Sequence, residues 1–129
     1  MATEFTIKVP NRAGQLAAVS TALGDAGVNI SALAGSTLAG KGLIHVVVAD
    51  KDAARARRAL KKAKLRSSDR KVLEVRMSDK PGTLARVAKR LAAGRVSVDS
   101  AYLTGAGKRS RTIAFGVKDA RKAKKALGR

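Results

Sequence analysis

Apolar and polar residues alternate from Phe5 through Thr6, Ile7 and Lys8 to Val9, the period of a strand with one buried face. Pro10 closes that strand, having no N–H for the ladder. The period then lengthens: Leu16, Val19, Leu23 and Ala26 recur at helical spacing, an apolar stripe facing a core. Gly27 stands where such a helix turns left-handed and ends. Residues 29–37 read as a second strand and 38–42 as a glycine-containing hairpin. The nearly continuous apolar run 43–48 suits a third strand buried on both faces. Asp50 or Asp52 is placed to cap the next helix, which carries Ala53, Ala56, Leu60 and Ala63 at helical intervals among arginines and lysines.

The same order then returns. A strand is expected at 72–77, a loop at 78–82, a helix at 84–93, a strand at 96–103, a hairpin at 104–109, a strand at 111–117 and a helix at 119–127. Gly14 lies fifteen positions before Asn29, and Gly82 lies fifteen before Ser97, so the copies align without a gap from first loop to second strand. Each copy reads β-α-β-β-α, the order of a ferredoxin-like β-α-β-β-α-β unit whose last strand is short or missing. Residues 65–68 offer a stub of that strand to the first copy. The expected fold class is therefore α+β: two ferredoxin-like units in tandem, residues 1–70 and 71–129, with antiparallel sheets and helices on one face. Units of about 60 residues are marginal alone, so the halves are expected to share a sheet or core.

Composition narrows the chemistry. Hydrophobic residues make up 45% of the chain, yet Phe5, Tyr102 and Phe115 are its aromatics, so the core must be aliphatic. The absence of cysteine excludes disulfides and thiolate metal sites. The single histidine, His45, sits in an apolar strand run, where a structural, hydrogen-bonded role is expected. No nucleophile-base pair, metal-ligand spacing or complete phosphate loop is present, and the glycines at 105 and 107 read as a turn, which together point away from catalysis and imply no cofactor. No apolar run approaches the ~18 residues of a membrane span, and the first residues lack the pattern of a secretory signal. A cytoplasmic location is expected.

The net charge of +19 is unevenly placed: residues 1–50 balance to zero, whereas residues 51–129 hold 25 bases against six acids. Such an excess attracts polyanions or an acidic protein partner, and it also keeps a small protein soluble. Arg57, Arg58, Lys61, Lys62 and Lys64, with Lys122, Lys124 and Lys125 in the second copy, form the face that non-specific nucleic-acid binding would use. Sequence-specific RNA reading is disfavoured, because the central strand 43–48 has no aromatic on which bases stack.

Asp79-Lys80-Pro81-Gly82-Thr83-Leu84 resembles the first loop of ACT domains, and Val28-Asn29-Ile30-Ser31 resembles their helix-to-strand segment. As a tandem pair the resemblance spans nearly the whole chain, with departures at Ala13, Arg95 and Ser97. It implies a regulatory module that binds a small ligand, typically an amino acid, between the first loop of one unit and the facing surface of its partner. The matching positions are Asn11, Arg12, Ala13, Gly14, Gln15 and Leu16 with Asn29 and Ile30, and Asp79, Lys80, Pro81, Gly82, Thr83 and Leu84 with Ser97 and Val98. Independently of any family, a glycine opening a helix lets the backbone approach a ligand, and the free N–H groups favour a carboxylate. The same turn also serves simply to start a helix off a strand. A homodimer is expected as well, since small units with an unpaired sheet edge gain from pairing.

Overall fold

The computed structural model describes all 129 residues and divides into two compact units, one of Ala2–Arg70 and the other of Lys71–Arg129 together with Met1. The first unit runs β1 (Ala2–Pro10), α1 (Gln15–Asp25), β2 (Ala32–Leu38), β3 (Lys41–Ala49), a 3-10 turn at Asp50–Asp52, α2 (Ala53–Lys62), and the opening residues of β4 (Ser67–Ser78). The second continues along β4 into α3 (Thr83–Ala93), β5 (Val98–Ala106), β6 (Ser110–Val117) and α4 (Ala120–Ala126). Both units are the ferredoxin-like α+β fold expected from the repeat.

In the first unit β3 lies between β1 and β2 and pairs antiparallel with each, Ile7 opposite Ile44 and Gly35 opposite Ile44 on the other side. Ala39 and Gly40 form a two-residue connection with φ of 52° and 77°, the left-handed pair that matches the twist of a hairpin. Phe5, Ile7 and Val9 from β1 share one face with Ile44, Val46 and Val48 from β3, and Val19, Leu23, Ala56 and Leu60 close over them from the two helices. The chain after α2 completes this unit: Leu65 packs against the core, and the Lys8 N–H donates to the Arg66 carbonyl at 3.2 Å. Arg70 then donates to the buried Glu4 carboxylate at 2.8 Å. The expected stub of a last strand is thus present, but it starts at Ser67 and runs on uninterrupted as β4.

The second unit places β6 between β4 and β5, with Val75 opposite Ile113 and Leu103 opposite Ile113. Its core follows the first residue for residue, with Leu73, Val75, Leu91, Phe115, Val117, Ala123 and Leu127 buried. Met77, Val87, Val96 and Ile113, which correspond to fully packed positions of the first unit, are only partly buried here. Each unit has a core cluster of its own.

All four helices end alike. Gly27, Lys64, Arg95 and Gly128 take φ between 59° and 75°. The following N–H in each case reaches back five residues, as in Val28 to the Leu23 carbonyl and Val96 to the Leu91 carbonyl, the Schellman arrangement. Other local expectations need correction. The second strand begins at Ala32, so Asn29 and Ile30 precede it. Asp52 takes the N-cap position of α2 as expected but makes no side-chain cap bond, its carboxylate accepting from Arg55 at 2.7 Å, while Asp50 accepts from Thr3 at 2.9 Å. Both carboxylates are drawn instead to stronger or more buried donors. Leu16 was expected in the core but is half-exposed, as is Leu84 at the matching place. Side chains lean toward a helix's N-terminus, so a residue in the first turn overhangs the loop and misses the sheet.

Candidate functional site

Both first loops are built on one plan. The Arg12 N–H donates to the Pro10 carbonyl and the Lys80 N–H to the Ser78 carbonyl, each at 3.0 Å. Gly14 and Gly82 then take φ of 90° and 86° and serve as N-caps of α1 and α3. A Cβ at either glycine would meet no atom within 4 Å, so the requirement is conformational: an L side chain at such φ costs about 1–2 kcal/mol. The first intrahelical bonds run from Ala18 to Gly14 and from Arg86 to Gly82; the N–H groups of Gln15, Leu16 and Ala17 in α1 are left without an intrahelical acceptor, whereas in α3 the Thr83 N–H donates to the Lys80 carbonyl at 3.3 Å.

The loops differ in what surrounds them. In the first unit Asn11, Arg12 and Gln15 line a cleft of about 210 Å³ with Val9, Pro10, residues 35–37 of β2 and residues 42–44 of β3. The side chains of Asn11, Arg12, Gln15, Ser36 and Thr37 have no hydrogen-bond partner within the chain. Gly42 leaves the cleft wall thin, since a Cβ there would lie 3.0 Å from Val9 Cγ2. The hairpin residues Gly35, Ser36 and Thr37 escaped the sequence reading, although a glycine followed by two hydroxyl residues in a short strand was a visible signal. In the second unit the Arg111 guanidinium pairs with the Asp79 carboxylate at 2.8 Å, and the Asp79 N–H donates to the Arg109 carbonyl at 3.0 Å. This loop is tied to its hairpin. Thr83 is buried, and Lys80, Pro81 and Leu84 are exposed.

The remaining candidate residues are scattered. Ala13, Gly14 and Leu16 stand beside the first cleft without lining it, Asn29 is exposed, and Ile30 packs against the first core. Ser97 is exposed and Val98 opens β5 opposite Val117. Next to these segments, Arg55 donates to the Ala26 and Gly27 carbonyls at 3.4 and 3.2 Å, and Lys122 donates to the Arg95 carbonyl at 3.0 Å. A cation from the second helix of each unit thus meets the negative end of its first helix.

The basic face is therefore partly committed to structure. Lys122 holds a carbonyl, and Arg57 pairs with Asp69 at 2.8 and 3.2 Å. The hydrogen bond that Arg57 donates to Asp69, helped by the carboxylate's charge, holds the Arg57 guanidinium pKa above its ordinary value. Arg58, Lys61, Lys62, Lys64, Lys124 and Lys125 have no polar partner in the chain. His45 Nδ1 lies 3.1 Å from Thr6 Oγ1 across the β1–β3 pair. No group of histidines and acids is gathered as for a metal ion, and no helix is long and apolar enough to cross a membrane.

Comparison with known proteins places this fold. The ACT domain family matches residues 3–64. No protein of curated function matches the sequence. Among solved structures, a protein from Bacteroides thetaiotaomicron is 24% identical, with 98% of this chain and 85% of that one aligned at a TM-score of 0.85. The ligand-free regulatory subunit of aspartate kinase from Thermus thermophilus is 17% identical over 98% and 89% of the two chains at 0.73. Its counterpart from Thermus flavus is 16% identical over 98% and 90% at 0.70.

Proposed function

We propose, because the ACT domain family matches residues 3–64, that this chain is a non-enzymatic regulatory protein whose first-unit loop binds a free amino acid. The observation that carries this reading is the convergence of unpartnered polar side chains, Asn11, Arg12, Gln15, Ser36 and Thr37, on one small cleft at the start of α1. An α-carboxylate suits the free N–H groups of the first helical turn and the Arg12 guanidinium. The Asn11 and Gln15 amides supply acceptors for an ammonium group. Leu43, Ile44, Val9 and Pro10 give an apolar wall for a short side chain. The volume of about 210 Å³ fits a metabolite of amino-acid size better than a nucleotide. Regulatory subunits of aspartate kinase share the fold, which agrees with a sensing role.

Calorimetric melting with each amino acid at millimolar concentration tests this. A ligand at 100 times its dissociation constant adds about 2.7 kcal/mol of stability. One or a few amino acids should raise the melting temperature, and Arg12→Ala should remove the shift while leaving the unliganded melt in place. Uniform indifference to all of them rejects the reading.

A homodimer fits the same protein. Along β2 only Ala32 is buried, and Leu33 and Leu38 stand exposed, leaving an edge suited to pairing with a second copy. Sedimentation at tens of micromolar should give the dimer mass, and a monomer there rejects it. Docking of an acidic partner is the second reading, favoured by the six unpartnered lysines and arginines of α2, α4 and their flanks.

A further inference from the structure

The face of the first unit's sheet turned away from its helices carries polar chemistry that the loop cleft does not use. Phe5, Ile7 and Val9 point into the core, so Glu4, Thr6 and Lys8 lie on the opposite face by strand alternation. The chain after α2 runs antiparallel beside them. The Lys8 N–H donates to the Arg66 carbonyl at 3.2 Å, and the Arg70 side chain donates to the Glu4 carboxylate at 2.8 Å. This register sets Arg66 opposite Lys8, Ser68 opposite Thr6 and Arg70 opposite Glu4. Thr6, Lys8, Arg66, Ser67 and Ser68 together line a hollow of about 340 Å³.

Two features mark this hollow. The first is an unbalanced pair of charges. Side chains directly opposite each other on one face of a ladder have Cβ atoms about 4.5–5.5 Å apart, and like charges placed so repel. Arg70 is balanced by Glu4 farther along the same strands. The side chains of Lys8 and Arg66, by contrast, have no hydrogen-bond or ion-pair partner in the chain, and no carboxylate lines the hollow. The second feature is the gathering of hydroxyls. Ser67 and Ser68 are exposed with unpartnered side chains, and Thr6 Oγ1 lies 3.1 Å from His45 Nδ1. The duplicated unit offers an internal comparison. With Gly82 aligned on Gly14, Arg76 stands for Lys8 and Glu74 for Thr6. Glu74 there accepts from Thr104 at 3.2 Å. The second unit thus keeps the cation but places a carboxylate where the first has a hydroxyl, and that carboxylate repels an anion. The groove between α1 and α2 is likewise less suited to an anion, because Asp25 lines it together with Arg58 and Lys62.

We infer that this hollow binds the phosphate group of a small phosphorylated metabolite. Lys8 and Arg66 offset its charge, the planar guanidinium gripping two oxygens at once. The hydroxyls of Ser67, Ser68 and Thr6 donate to what remains of its oxygens. Binding also removes the repulsion between the two cations. A phosphate monoester carries close to two negative charges at neutral pH and presents three acceptor oxygens, which matches paired cations ringed by donors. A phosphodiester carries one charge and presents two free oxygens, so a nucleic-acid backbone uses this arrangement less fully. The volume leaves room for the alcohol part of a small ester. No residue is shared with the lining of the cleft at Asn11, so the inference stands apart from the amino-acid site.

Chemical-shift titration of the full chain with glycerol 3-phosphate at constant ionic strength tests it, at about pH 7.5, where the ester is dianionic. The largest shifts should fall on residues 6–8 and 66–68. Lys8 and Arg66 are exposed, so Lys8→Ala and Arg66→Ala should keep the amide spectrum of the folded chain while each weakens binding by about tenfold or more. Thr6→Glu, which installs the carboxylate of the second unit, should abolish binding. Without ligand, Lys8→Ala should melt no earlier than the parent chain, since it relieves a like-charge contact. Dimethyl phosphate binding as tightly as the monoester overturns recognition of a dianion. Inorganic phosphate binding as tightly overturns the ester as ligand. Losses just as large in Arg58→Ala or Arg86→Ala overturn the location.

Discussion

The two units share a fold and a loop geometry but differ wherever a groove is left open or shut. In the first, the strand residues after α2 seal the core and the first loop stands open over a polar cleft. In the second, the first loop is tied down by Arg111 and Asp79, and the groove beside β4 stays open. These two openings lie in different places and carry different chemistry: neutral amides, hydroxyls and one arginine in the first, several arginines in the second. Duplication preserved the scaffold while freeing each copy to specialise its surface. The partly buried Met77 and Val87 follow from this, because they border the groove that Leu65 and Arg66 close in the other copy.

Core truncations should separate the units most strongly. Leu23→Ala and Leu91→Ala should each cost about 2–5 kcal/mol in equilibrium denaturation, since both leucines are buried in otherwise filled cores. Val19→Ala should cost more than Val87→Ala, because Val87 is already partly in water. Equal costs would break the claim that the second core is looser. Next in size, Gly14→Ala and Gly82→Ala should each cost about 1–2 kcal/mol although space is open around them. Asparagine at either position should cost less than alanine, as it tolerates left-handed backbone better.

A smaller effect of opposite sign is expected at Arg95, the counterpart of Gly27. Arg95→Gly relieves a left-handed non-glycine residue at the entropic penalty of glycine, for a net gain of about 0.5–1 kcal/mol in thermal melts. Gly27→Arg should destabilise, as the added Cβ would lie 3.3 Å from Arg55 Nη1. The smallest change is expected from Arg111→Ala, which breaks an exposed ion pair with Asp79. That substitution should cost no more than about 1 kcal/mol, less in high salt. Its sharper readout is faster amide exchange in residues 79–82.

Much of this molecule was legible from periodicity. Strand alternation at Phe5, Ile7 and Val9 and helical spacing at Val19 and Leu23 identify the core faces correctly, because burial is what writes those patterns. The regular spacing of the repeat gives the tandem fold. What the pattern does not carry is pairing between distant side chains. Asp50 and Asp52 have the composition of caps, yet Thr3 and Arg55 compete for them. Arg111 and Asp79 lie in different elements, and nothing local marks them as partners. Gly35, Ser36 and Thr37 were visible as a glycine and two hydroxyl residues, but their place beside Asn11 and Gln15 was not, since only the hairpin fold brings them together. Asn29 reads as a strand-start ligand by sequence likeness, but the strand begins three residues later.

The measurement that tests the central contrast most directly is amide chemical-shift mapping of the intact chain titrated with the amino acid that gives the largest melting shift. Specialisation of the two units predicts perturbations confined to residues 11–16, 35–37 and 42–44, with residues 79–84 unmoved while Arg111 holds Asp79. Perturbation of both first loops alike, or of residues 79–84 alone, contradicts it.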